Sequence, residues 1–419
     1  MNQKKQVIKK IRKNQGSDKV PALRFPEFED DWIEKKIQDE FYLISGQHLN
    51  PNEYTTEFAE ELTPYFTGPS DFTNNQNELT KWSLKEGKVA KENDILFTVK
   101  GSGVGTSMLL TMKRVAMGRQ LMALGSKSSS TAFIFPKLNS LKNYYIALAS
   151  GNMIPGLSRD DILKTKLYFP SFTEQQKIAA FLTVVDERIQ GLQQKKAKLE
   201  EYKKGVMQKL FSQEIRFKIE NEDGELVEPP DWEEKKLGEV FNSKKGTGLS
   251  KNVLDSRGQF NCILYGELYT TYAEVIFDVV SKTNDEGGTL SKQGDLLVPC
   301  STTTSAIDLA NVTALNEDNV RLGGDITILR ARKNVNNTFY AYYLSNYKKL
   351  EIAKYGQGTT IVHLYYNHFK VMTIDLPSLE EQNKIARFLT SLDESIASVA
   401  KQIEATTTFK KGLLQQLFV

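Results

Sequence analysis

Apolar residues follow two rhythms along this chain, and the two alternate. Two stretches carry a long 4-3 spacing. The first runs Ile178, Leu182, Val185, Ile189, Leu192, then Leu199, Val206 and Leu210. The second runs Ile385, Leu389, Leu392, Ile396, Val399, Ile403, Leu413 and Leu417. This spacing places apolar side chains on one narrow helical stripe, the seam of a coiled coil rather than a broad globular face. About forty helical residues at 1.5 Å each predict a rod of about 60 Å. Thr173 stands at the predicted N-cap, with Glu174 and Gln176 in the first turn. Lys196 and Lys203 interrupt the first seam, and Thr406 and Lys410 the second. Lys196 stands where the second copy has Ile403, and Leu199 where it has Thr406. Two imperfect seams can cover each other's weak points, so the helices are expected to pair within the chain.

The rest of the chain has the other rhythm, short strand-like runs punctuated by turns. They are DILFTVK at 94–100, TAFIFP at 131–136, KLYFP at 166–170, GDLLVP at 294–299 and DITILR at 325–330. Short helices are predicted at NYYIALAS, 143–150, and FYAYYLSNY, 339–347. The fold class that follows is α+β, with mixed or mostly antiparallel sheets.

A repeat orders these pieces. PSFTEQQKIAAFLTVVDERI from Pro170 matches PSLEEQNKIARFLTSLDESI from Pro377 at an offset of 207, ungapped through Phe211 and Phe418. DWIEKKIQDEF around Trp32 echoes DWEEKKLGEVF around Trp232 at an offset of 200, and Asp94 of NDILFTVKGS echoes Asp295 of GDLLVPCS. The order is variable module, shared helix, variable module, shared helix. The predicted domains are a basic, disordered arm at 1–20, a module at 21–169, a helix at 170–215, a module at 216–376 opening on a linker at 216–230, and a helix at 377–419.

Composition narrows the function classes. The chain has 419 residues, 40% of them apolar and 26% charged, so it can bury real cores across two to four domains. Residues 1–20 hold seven Lys or Arg against Asp18, a net +6; with a total of +3, the remainder is −3. Nucleic-acid binding must therefore rest on local loops. Cys262 and Cys300 are too few for a disulfide framework and read as free thiols. The apolar runs fall short of the roughly 18 residues of a membrane span, and the basic start lacks a secretory h-region. A cytoplasmic location is expected. His48, His363 and His368 do not stack on one helical face, and the cysteines lack CxxC spacing, so no metal site is expected. G-x-S-x-G and G-x-G-x-x-G are absent, so neither a nucleophile elbow nor a dinucleotide fold is indicated. Glu228-Pro-Pro-Asp231 lacks the residues of an amino-methyltransferase loop and reads as a linker.

Several loops suit DNA. Lys100-Gly-Ser-Gly-Val-Gly-Thr106 follows a strand; its glycines let backbone N–H groups approach an anion, with Lys100, Ser102 and Thr106 as side-chain candidates. It lacks the G-K-[ST] ending of a P-loop. The second module offers Ser301, Thr302 and Thr303 at the matching place. Arg119 suits guanine and Gln120 adenine in the major groove. Arg159 lies near the end of one module, and Gln357, Thr359 and His363 near the end of the other.

The paired P-S-x-x-E-Q-x-K-I-A-x-F-L segments at 170–182 and 377–389 run into D-E and a coiled coil. With the P-x-L-R-F-P-x-F opening at 21–28 and the two W-x-x-K-K-[IL] module starts, the chain resembles the specificity subunit of Type I restriction-modification enzymes over nearly its whole length. The resemblance implies two target-recognition domains, each reading half of a bipartite DNA site. It implies two long antiparallel coiled-coil helices that separate the domains around a pseudo-two-fold axis. It implies two methyltransferase subunits using S-adenosylmethionine, and restriction subunits with ATP-dependent translocase and Mg2+-dependent nuclease activity. No cofactor or catalytic residue is expected on this chain. A self-contained methyltransferase or nuclease, and a purely structural coiled-coil adaptor, are the competing readings.

Overall fold

The computed structural model describes residues 12–13, 20–85, 87–150 and 155–419. The basic arm expected over 1–20 thus lies outside the described residues, except Val20 and Arg12–Lys13, whose backbone pairs with Leu23–Arg24. The chain forms two compact units, Met1–Gln193 with Lys401–Val419, and Gln194–Ala400. The long helices span Phe172–Phe211 and Leu379–Leu417, so each unit holds one end of each.

In the first unit, four antiparallel strands form a sheet in the order Ser107–Leu109, Ile95–Thr98, Leu121–Ser126, Phe41–Ser45. A five-stranded sheet includes the parallel pair Thr63–Phe66 and Arg114–Met117. Strand Ile95–Thr98 is buried along its whole length, which is why its sequence reads as a continuous apolar run rather than an alternation. Strand Ile33–Lys36 pairs antiparallel with Lys166–Phe169, closing the module on itself just before the long helix.

The second unit repeats this plan. Its five-stranded sheet runs Phe241–Lys245, Ile326–Ala331, Asp295–Pro299, Thr313–Leu315, Val275–Ile276, the last pair parallel. Phe260–Ile263 lies parallel to Arg321–Leu322 in a four-stranded sheet, and Glu233–Lys236 closes on Thr373–Leu376. The sheets are mixed and the class is α+β, as the patterning predicts.

Two local expectations are corrected. Residues 131–136 form the start of a helix, Thr131–Ser140, not a strand. The Ser130 hydroxyl accepts from the Phe133 N–H, and Phe133, Ile134 and Leu138 are buried. A β-favouring composition is a weak prior that packing overrides. The long helix is capped by Ser171, whose Oγ accepts from the Glu174 N–H at 3.3 Å, not by Thr173; Ser378 does the same for Glu381.

That cap leaves the E-Q pair of the repeated motif free for other work. Glu174 and Arg24 form a buried two-bond pair, both bonds 2.7 Å, with side chains 1% and 3% exposed. Glu381 pairs with Arg216 in the same way, at 3.0 and 2.7 Å. Phe25 packs edge-on against Phe181, and Phe217 packs at a tilt against Phe388. The segment after the first helix thus contains the counterpart of the chain's opening, followed by a hairpin of Ile219–Glu220 with Leu226–Val227. Gln175 Oε1 accepts from the Ser130 N–H at the cap of the preceding helix Thr131–Ser140, while its Nε2 donates to Pro170 O. Gln382 does both for Asn336 and Pro377.

Of the seam residues, Ile178, Leu182, Val185, Leu192, Ile385, Leu389 and Val399 are buried, and Ile189, Leu392 and Ile396 half-buried. A fully buried Leu or Ile stabilises by about 1.5–3 kcal/mol. In the first unit, Leu413 and Leu417 share a core with Ile178, Leu182 and Val185. The pairs Asp186–Lys410 and Arg188–Gln402 show that these segments run antiparallel. In the second, Met207, Leu210 and Phe211 share a core with Ile385 and Leu389. Two supposed seam-breakers are integral: Lys410 reaches Asp186, and Lys203 reaches Asp393 at 2.7 Å and Glu274 at 3.1 Å.

Candidate nucleic-acid interface

The loops of each unit converge on one glycine. Strand Phe41–Ser45 exits through Gly46-Gln47-His48, and strand Phe241–Lys245 through Gly246-Thr247-Gly248. A Cβ on Gly46 would lie 2.2 Å from the Gly118 carbonyl oxygen, and one on Gly246 2.0 Å from that of Gly323. Backbone closes the lock. Gly46 donates to Leu121 O and Gly118 to Phe66 O; Gly246 donates to Ile326 O and Gly323 to Ile263 O. In both units three loops are thereby fixed together: the strand exit, the turn at 118–120 or 323–325, and the loop after Phe66 or Ile263.

In the first unit a fourth loop joins them. The Gln120 Oε1 sits 2.9 Å from where a Gly68 Cβ would be and 3.9 Å from that of Gly101. Gly103 lies against Pro69, where a Cβ would fall 2.4 Å from the ring. Gly101 adopts φ +89°, which only glycine takes without strain, and Lys100 bridges to Gly156. Lys100, Ser102, Arg119 and Gln120 are brought together as exposed side chains around this point. Thr106 is half-buried and its carbonyl accepts from Thr98. Arg159 is committed elsewhere: its guanidinium donates to Leu43 O at 2.7 Å and Ser45 Oγ at 2.8 Å. Tyr366 ties its hydroxyl to Phe241 O in the same manner in the second unit. Below the loops, burial opposes ionisation of Asp71, but bonds from Thr67 and Lys81 outweigh it and hold the carboxyl below its ordinary range.

The second unit fills the same frame differently. Strand Ser301–Thr302 pairs with Val362–His363, bringing the loop at 300–305 beside the hairpin of Gln357 to His363. Ser301 and Thr302 are buried; Thr303, Gln357 and Thr359 are exposed, and His363 is half-buried. Ser301 Oγ donates to Asp325 at 3.0 Å, and Lys245 Nζ lies 3.8 Å from the same carboxylate. The His363 ring stacks on Tyr365 at 5.5 Å, and Lys245 sits 5.8 Å over the Tyr365 ring. Beside this cluster lies an open groove of about 970 Å3, lined in part by Lys245, Gly248, Lys251, Tyr265 and Asp325.

Sequence reasoning missed Gln47, Gly68, Lys245, Asp325 and Tyr365. A signal for their placement was present: Gly46 and Gly246 follow Trp32 and Trp232 at the same spacing.

Burial pushes the Cys262 thiol up to about 11 and also raises Cys300, so neither is an activated nucleophile. Among the described residues no group of three His, Cys, Asp or Glu is placed to hold a metal ion, and no helix is long and apolar enough to cross a membrane.

Comparison with known proteins agrees with the duplication. The chain is 25% identical over 424 residues to the Type I restriction enzyme MjaVIII specificity subunit of Methanocaldococcus jannaschii, covering 98% of this chain and 97% of that one. Its fold matches the crystal structure of the Type-I restriction-modification system S subunit from M. genitalium, with a TM-score of 0.62, 20% identity, and 96% and 99% of the two chains covered. It also matches a chain from a structural study of complex assembly and conformational transition of the type I R-M system, with a TM-score of 0.54, 17% identity, and 93% and 97% covered. The model of the Type I restriction modification DNA specificity domain matches twice, at residues 29–201 and 229–407. Two copies of that domain account for most of the sequence, and the chain belongs to the Type I restriction modification DNA specificity family.

Proposed function

We propose that this chain serves as the DNA-reading, non-catalytic subunit of a Type I restriction-modification complex. Each unit reads one half of a bipartite double-stranded DNA target, and the two long helices set the spacing between halves and dock two methyltransferase subunits. Restriction and translocase subunits complete the complex. S-adenosylmethionine, ATP and Mg2+ belong to those partners, and the assembly works in the cytoplasm.

One observation carries this reading. The two units share a glycine-locked loop frame, yet present different side chains on it: Lys100, Arg119 and Gln120 in one, Lys245 and Asp325 in the other. Constant frame with changed chemistry is what two half-site readers require, because base edges are told apart by their donor and acceptor patterns. Two tethered readers also gain effective concentration on one DNA molecule.

The test replaces residues 216–376 with the matching module of another family member and sequences methylated sites in cells that supply methyltransferase subunits. One half-site is expected to change while the other half stays. Alteration of both halves, or methylation without sequence preference, overturns the reading.

A further inference from the structure

The turn at 323–325 places a carboxylate where the first unit has Gln120. A carboxylate is a poor general choice on a DNA-facing loop, since phosphates repel it. Asp325 is nevertheless built in with care. It adopts φ +57° directly after Gly323 and Gly324, a conformation glycine would take more readily. The backbone of the turn is fixed: the Asp325 carbonyl accepts from the Cys300 N–H, and the Gly324 N–H donates to Gly248 O. Ser301 donates to one carboxylate oxygen, and Lys245 flanks the other at 3.8 Å. The side chain remains 43% exposed beside the groove. Lys245 and Ser301 hold and partly neutralise the group without consuming its acceptor capacity, which spans about four lone-pair directions.

We propose that Asp325 is a specificity-determining residue that accepts a hydrogen bond from the N4 amine of a cytosine in the major groove. This rests on the DNA-reading role above. A carboxylate only accepts, and cytosine is the one base whose major-groove edge offers a donor with no acceptor beside it. Guanine presents N7 and O6, and adenine N7, so both place an acceptor against the carboxylate. Thymine presents O4 and a methyl group and offers no donor. Lys245 then has a second use, neutralising the carboxylate near the phosphates.

The experiment compares wild type with Asp325→Asn in the complex with methyltransferase subunits, scoring methylation rates on a library with every base at each half-site position. Asparagine is isosteric, keeps the bond from Ser301, and suits adenine. The expected result is a loss of about 5- to 150-fold in cytosine preference at one position of one half-site, with adenine gaining there. An unchanged motif, or a uniform loss across all sites, overturns the proposal and leaves Asp325 a bracing residue. Should Asp325→Asn fail to assemble, Asp325→Glu decides: a changed rate confined to the cytosine position supports it, and equal rates at all positions refute it. A wild-type complex without sequence preference would instead refute the DNA-reading role itself, so the two failures are distinguishable.

Discussion

The two units solve one problem with unequal means. Both place an Arg on a buried Glu where a long helix begins, Arg24 on Glu174 and the partly exposed Arg216 on Glu381. In the second, the Trp232 Nε1 also donates to Glu381 at 2.9 Å; in the first, Trp32 Nε1 is buried without a partner among the described residues. The first unit buries Glu40 where the second has the apolar Val240. Lys203 of the second unit is 11% exposed between Glu274 and Asp393, the latter also bonded by the Tyr342 hydroxyl, whereas its counterpart Lys410 is 26% exposed against Asp186. The shared element is the ion pair itself. What differs is how much of the surrounding protein shares the charge, and that difference is measurable.

The largest effect is expected for Arg24→Leu. It leaves Glu174 buried with no counter-ion and should cost about 3–5 kcal/mol in denaturant titration. Arg216→Leu should cost about 1 kcal/mol less, because the Trp232 indole still donates to Glu381. Equal losses would mean the indole contributes nothing. Next comes Lys203→Ala, which leaves Glu274 and Asp393 without their shared counter-ion and should cost about 3 kcal/mol. Lys410→Ala should stay within about 1 kcal/mol, as expected of a solvent-screened pair. Reversal of that order would break the comparison.

The smallest effect is in acid. Burial works against ionisation of Glu40, but Lys35 and the hydroxyls of Ser128 and Ser129 outweigh it and hold the carboxyl at about 2, below its ordinary 4.5. A depressed folded value adds stability that is complete above about pH 4.5 and is lost as pH falls towards 2. Glu40→Gln should flatten that acid limb in melting curves of the chain. Val240 has no such limb to lose, so Val240→Ala should shift stability equally at all pH values.

Much of this was readable in advance. The 4-3 seam and the strands at Ile95–Thr98 and Ile326–Ala331 are encoded locally, and local periodicity reports them, while the repeat at an offset of 207 shows when the two halves are compared. The purpose of the E-Q pair was not, because Arg24 and Arg216 stand 150 and 165 positions from their partners. The helix at Thr131–Ser140 was hidden for the converse reason: its residues favour strand, and Gln175, far along the chain, helps cap it. Lys203 looked like a fault in a seam because its partners Glu274 and Asp393 are distant in sequence. The loop frame was half legible. Lys100, Arg119 and Gln120 carry suitable chemistry in their own right, whereas Asp325 acquires meaning only through the bonds that seat it.

Gln175 and Gln382 have a mechanical consequence. Each spans from the first turn of a long helix to the cap of a short helix in its own module, and anchors back to the proline that starts the segment. In engineering terms this is a welded joint rather than a hinge. Twist applied to that end of a long helix passes into the module it serves instead of being absorbed at the junction. A module grafted onto this frame keeps its aim only if it brings a backbone N–H to meet that glutamine.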